Sequence, residues 1–254
     1  LYLPASALAI TGAVSSRRWN ERWRRAAAVL TIAFLPVAAT ATYVRTLDWQ
    51  DELTLWADAA VHAPGGNSLP FVELGIALSR ADRPEEALPV LERAEAIDAD
   101  LSKRGIGDPN GSGSREARAV ALSALGRFDD ALSIFERQRA ARPSEPSYAY
   151  NCAVVRAMAL DFDGARSELL GLLARYPDYD DARAFLAVVE RSAEAWRRLP
   201  AADGDDARSA LARAAVFAEL GRLRDATKIW RELASDERTP GAVRAEATRR
   251  LPLR

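Results

Sequence analysis

Cysteine and histidine are almost missing from this chain: Cys152 and His62 stand alone among 254 residues. One thiol forms no internal disulfide framework, and one thiol with one imidazole supplies no thiolate- or histidine-based zinc centre. Glycine and proline are sparse, at 14 and 13, and β-branched blocks are absent while alanine recurs throughout. That composition excludes a strand-built protein and predicts an all-α chain. Neither charge sign dominates, with a net charge of −1, so the basic face that nucleic-acid binding requires is lacking and no nucleic-acid partner is expected. No glycine-rich phosphate loop or serine-centred elbow is present, so the sequence points to no catalytic residue, no cofactor and no metal of its own.

Against that background, one long uncharged run stands out. Residues 26–44, AAAVLTIAFLPVAATATYV, form 19 consecutive uncharged residues, close to the ~20 that a helix needs to cross a bilayer of ~30 Å. They are read as a transmembrane helix whose alanines favour packing against neighbouring helices. Residues 1–15 are read as the end of another such helix, cut through. Between them, residues 16–25 carry Arg17, Arg18, Arg22, Arg24 and Arg25 beside Trp19 and Trp23, which the positive-inside bias assigns to the cytoplasm. The chain after residue 44 is then extracytoplasmic, beginning with a juxtamembrane helix over 45–66. A secretory signal peptide and a buried soluble helix are the alternatives. The first is disfavoured by apolar sequence upstream of the arginines, the second by the length of the run.

Beyond residue 66, small anchor residues recur. Ala131 and Ala165 are 34 apart, as are Pro143 and Pro177. This is the interval of the tetratricopeptide repeat (TPR), a pair of helices per unit. Taking the alanine that opens the second helix as the anchor, Ala87, Ala131, Ala165 and Ala226 are each preceded twelve residues earlier by Gly75, Ala119, Ala153 and Ala214. Small residues there let two helices approach, and stacking buries faces that one hairpin cannot bury alone. Residues 67–254 are therefore expected to form an α-solenoid of four or five hairpins. Two irregularities are expected: a flexible insertion over 101–114, and a degenerate hairpin at about 180–200 closed by the linker PAADGDD. Pro89 falls inside a second helix, where it should kink or shift it.

Where the uncharged run meets the repeats, Arg45, Trp49, Asp51, Glu52, Leu55 and Trp56 form a pattern that resembles the transmembrane-and-TPR proteins related to O-mannosyltransferases. Tyr2-Leu3-Pro4 is similar to an element near the end of their membrane region. The resemblance implies a membrane part like that of GT-C-class glycosyltransferases, with the catalytic acid in an early loop upstream of Leu1, so no catalytic residue carries over. It leaves two functions open: a membrane-anchored scaffold for a protein or peptide partner, or the substrate-recognition tail of a polytopic glycosyltransferase.

In TPR geometry the first helix of each pair lines the groove, and the frame directs Arg80, Glu116, Ser123, Tyr150, Val154, Met158 and Arg208 inward. One aromatic, one adaptable methionine and a few charges suit an extended or helical peptide. The lysine and asparagine pair that clamps carboxyl termini is missing; Val72, Ile76, Glu116, Val120, Tyr150 and Val154 hold those places, and no affinity for an acidic C-terminal tail is expected. Other acidic groups have plainer readings. Asp108, Asn110 and Ser112 begin like a calcium loop but meet Ala119 at the twelfth position. Asp203-Gly204-Asp205 reads as a solvated linker, and Asp178, Asp180 and Asp181 as charges favouring a helix N-terminus. Cys152 reads as a core residue and His62 as a helix-end residue. Oligomeric state is left open.

Overall fold

A computed structural model describes residues 51–106, 112–200 and 206–252, together with the isolated residues Glu21, Arg25, Thr40 and Tyr43. The chain divides into two units, residues 1–55 and 56–254. The proposed membrane segments over 1–44, apart from those isolated residues, lie outside the described residues. Among the described residues no helix is long and apolar enough to cross a membrane. At the end of the juxtamembrane stretch, Asp51 caps α1 (Glu52–Val61) by accepting from the Thr54 amide at 3.1 Å.

The second unit is built of helices laid side by side in chain order: α2 (Leu69–Arg80), α3 (Pro84–Lys103), α4 (Ser112–Ala124), α5 (Phe128–Ala141), α6 (Pro146–Met158), α7 (Phe162–Arg175), α8 (Asp180–Arg197), α9 (Ala207–Glu219), α10 (Leu223–Ser235) and α11 (Gly241–Arg250). Each packs against the next. Four complete hairpins result: α2/α3, α4/α5, α6/α7 and α9/α10.

The hairpins share one packing rule. The anchors Ala87, Ala131, Ala165 and Ala226 are fully buried, as are Ala119, Ala153 and Ala214 on the first helices. Four residues past each anchor comes a large buried side chain, Leu91, Phe135, Leu169 or Trp230, facing the small residue of its partner helix. In the first hairpin the fit leaves no room for a side chain at Gly75, where an added Cβ would clash with the Leu91 side chain. Each such buried side chain contributes roughly 1.5–3 kcal/mol relative to exposure.

The turns are equally regular. Asp82, Gly126, Leu160 and Gly221, each five residues before its anchor, take left-handed backbone with φ of 60°, 74°, 65° and 81°. The next amide then reaches back to the fifth residue before it: Arg83 to Leu78, Arg127 to Leu122, Asp161 to Arg156 and Arg222 to Phe217, at 2.8–2.9 Å. This is a Schellman closure, which satisfies a carbonyl left without a partner at the helix end. In three hairpins the residue after the left-handed position is an arginine paired with an acid three residues on: Arg83 with Glu86, Arg127 with Asp130, Arg222 with Asp225. The third hairpin substitutes Asp161, which accepts from the Gly164 amide at 2.9 Å.

Three expectations need correction. The insertion is shorter than 101–114: α3 continues through Lys103 and ends in its own Schellman turn, with Gly105 at φ 71° and the Ile106 amide donating to Leu101 at 2.9 Å, and α4 already begins at Ser112. Helix-forming LSK simply extends the helix until a glycine can leave it. Next, residues 180–197 are no hairpin but one continuous 18-residue helix. Its start is 34 residues after that of α6, yet Glu194, 34 beyond Leu160, continues the helix. Without a left-handed turn, and with Pro200 close behind, the second helix of that repeat does not form. Finally, α3 runs 20 residues through Pro89 without a break. Only the carbonyl of Glu85, in the first turn, loses a bond, and Pro89 lies on the exposed face.

Candidate binding cleft

The turn edges of the first and last hairpins meet. Arg224 in α10 pairs with Asp82 at 3.0 Å and with Glu85 at 2.8 Å, joining two turns that are 139 residues apart in the Arg224–Glu85 pair. Beside it, Arg222 ties several turns together. Its guanidinium lies 4.3 Å from the Phe217 ring and 5.4 Å from the Phe128 ring, while Nη1 donates to the Met158 carbonyl at 3.0 Å and Nε to Asp225 at 2.6 Å. At 19% side-chain exposure it is held by stacking and charge-assisted bonds together, a role that a lysine ammonium would not reproduce.

Between these turns opens a cleft of about 380 Å³. Its walls come from the C-terminal ends of the first helices α2, α4 and α6 and from the turn into α10: Arg80, Ser123, Ala124 and Met158 face Arg222, Arg224 and Asp225. Three of the seven groove candidates, Arg80, Ser123 and Met158, therefore share one site. The reason is height along the helix: all three stand seven or eight residues before their anchor alanines.

The other four lie elsewhere. Glu116 accepts from the Tyr148 hydroxyl at 3.0 Å, a bond that, after burial, raises that phenol's pKa. Tyr150 is committed to packing, with ring centroids 5.8 Å from both Tyr179 and Phe185, and burial raises its pKa. Val154 is half-buried on α6, and Arg208 is exposed in the first turn of α9, its amide bonded to Asp206. Ser123 is itself buried and donates to the Ala119 carbonyl. Arg222 and Arg224 were missed because groove positions were assigned to first helices only. The repeated arginine, then acid before the anchor alanine, was the signal that could have found Arg222.

The remaining residues of interest have structural places. Cys152 is buried in the core around Phe135, and burial pushes its thiol up to about 11. His62 follows α1, its Nδ1 2.9 Å from the Asp58 carbonyl. Asp180 and Asp181 occupy the first turn of α8. Asp108, Asn110 and residues 203–205 lie outside the described residues. Among the described residues no three histidine, cysteine, aspartate or glutamate side chains group to hold a metal.

The sequence matches no protein-family profile and no curated protein. Among solved structures, it is similar to YrrB, a TPR protein with an unusual peptide-binding site, at 14% identity and a TM-score of 0.39, over 76% of this chain and 97% of that one. The TPR-like character of the fold rests on its own geometry: four helical hairpins, anchor alanines buried in each, and one Schellman turn recurring at one place in the repeat.

Proposed function

We propose that this chain is a membrane-anchored TPR scaffold that binds an extended peptide in the cleft between α2, α4, α6 and α10. The observation that carries it is the convergence of Arg80, Ser123 and Met158, from three successive first helices, on one cleft rimmed by Arg222 and Arg224. An adaptable thioether beside fixed guanidinium groups suits a peptide with both apolar and acidic or carbonyl groups to offer. Membrane attachment through residues 26–44, with residues 16–25 cytoplasmic and the repeats extracytoplasmic, belongs to the same reading and is supported by the uncharged run and the arginine-rich loop.

The rival reading is supported by the pattern from Arg45 to Trp56: the repeats would serve a polytopic GT-C-type glycosyltransferase as its acceptor-recognition tail, and the same cleft would hold the acceptor polypeptide. One experiment addresses the site under both readings. Peptides selected on the full chain should lose about tenfold or more in affinity when Ala124→Trp fills the cleft or Met158→Ala strips its apolar wall. Ligands that ignore both substitutions would place binding elsewhere. Protease added to intact cells should degrade the repeats, and degradation only after lysis would reverse the orientation.

A further inference from the structure

Successive hairpins open a second kind of cleft on another side, at one recurring place in the repeat. It lies between the two helices of a hairpin, and it is lined by Ala149, Gly171 and Leu172 in the third hairpin and by Ala210, Glu232 and Leu233 in the last. In the second hairpin the same positions are Arg115, Arg137 and Gln138, joined by Arg118, Ile134 and Glu95, around a volume of about 390 Å³. The position seven residues past the anchor, apolar as Ala94, Leu172 and Leu233, is thus a glutamine in this hairpin alone among the four.

Gln138 is 4% exposed, and its Nε2 is buried without a hydrogen-bond partner. A donor left unsatisfied in a core costs about 1–3 kcal/mol, and leucine at the equivalent positions shows that the fold does not need a polar group there. Its charged neighbours are mostly cationic. Three guanidinium groups and one carboxylate line the cleft, and the carboxylate, Glu95, pairs with Arg118 through Nη1. The Arg137 Nε–H donates to the Ser133 carbonyl, and the side chain lines the cleft. The lining carries a formal excess of two positive charges.

We propose that this cleft binds a phosphoryl group, as free phosphate or on a phosphorylated side chain, with Gln138 Nε2 and the Arg115, Arg118 and Arg137 guanidiniums as donors. A dianion with several acceptor oxygens matches both the charge and the number of donors, where a carboxylate would meet only part of each. The site is distinct from the peptide cleft in position and in residues.

The test is a titration of the full chain with inorganic phosphate at fixed ionic strength, following the Gln138 side-chain amide by nitrogen–proton correlation and heat by calorimetry. Saturable shifts are expected. Gln138→Leu, which installs the residue of the third and last hairpins, should weaken binding about tenfold while leaving the melting temperature equal or higher. Arg137→Gln, at an exposed position, should weaken it comparably without disturbing the fold. Absence of saturation, acetate binding as tightly as phosphate, or binding indifferent to both substitutions would each overturn the proposal. A phosphoserine peptide binding more tightly than inorganic phosphate assigns the group to a modified chain, and equal affinity assigns it to the free ion.

Discussion

The three hairpins ahead of residue 176 and the single helix α8 behind them bury their surfaces by different means. In the hairpins a small residue on one helix receives a large one from the other, Gly75 with Leu91, Ala119 with Phe135, Ala153 with Leu169, and backbones come close. Helix α8 has no partner of its own repeat; it buries Ala182, Val189 and Ser192, and half-buried aromatic side chains add contacts to helices on either side. Phe185 packs edge-on against Tyr150 of α6, and Trp196 lies 5.7 Å from Phe217 of α9. Interdigitation needs two helices that approach closely, and rings add quadrupolar attraction to the area they bury. The single helix α8 is thus held in the stack by small buried residues together with aromatic contacts near both of its ends.

Substitutions can break this contrast in order of size. Phe135→Ala, at a residue 2% exposed, should destabilise the chain by about 3–5 kcal/mol in denaturant melts, because the small-large fit leaves nothing to fill the void. Phe185→Ala, half-buried in the aromatic contact, should lose about half as much; an equal loss would show that α8 is packed as rigidly as the hairpins. The turns sharpen the comparison at a smaller scale. Gly221→Ala forces a side chain into φ 81° and should cost about 1 kcal/mol in thermal unfolding. Asp82→Gly relieves the same strain but loses the contact with Arg224, so its effect should be close to neutral.

The smallest effect concerns the pairs that join the two outer turns. The hydrogen bond from Arg224 lowers the pKa of Glu85. A carboxylate whose folded pKa is depressed adds stability that is present above its unfolded value and fades as pH falls through the folded one. Arg224→Gln should thus differ from the parent chain at neutral pH in low salt, and the difference should vanish both in acid and in high salt, since these groups are largely exposed. A difference that survives in acid would show that Arg224 acts through packing.

Much of the fold was legible because its signals are local and periodic. Anchor alanines 34 residues apart can be counted, and burial confirms each one. The end of α3 at Gly105 and the absence of a turn at Glu194 were misread, because both depend on whether a helix finds a residue that can leave it, and LSK or VVERSAEAW gives no stop until one arrives. The groove was legible by helix face but not by height. Glu116 and Tyr150 share a face with Ser123 and Met158, yet lie a helical stretch away and are occupied by Tyr148 and by Phe185.

The sequence by itself determined that the chain is helical, that its hairpins repeat, and which small residues open each helix pair to its partner, since these follow from spacing along one strand of residues. Only the tertiary structure decided that Arg222 and Arg224 reach the turns of earlier hairpins, that three of seven groove candidates share a cleft, and that Gln138 is buried among arginines. The contacts of Arg222 and Arg224 join residues far apart in the chain and exist because stacking brings the turns of different hairpins together, whereas the surroundings of Gln138 depend on how two helices of one hairpin and the helix before them pack.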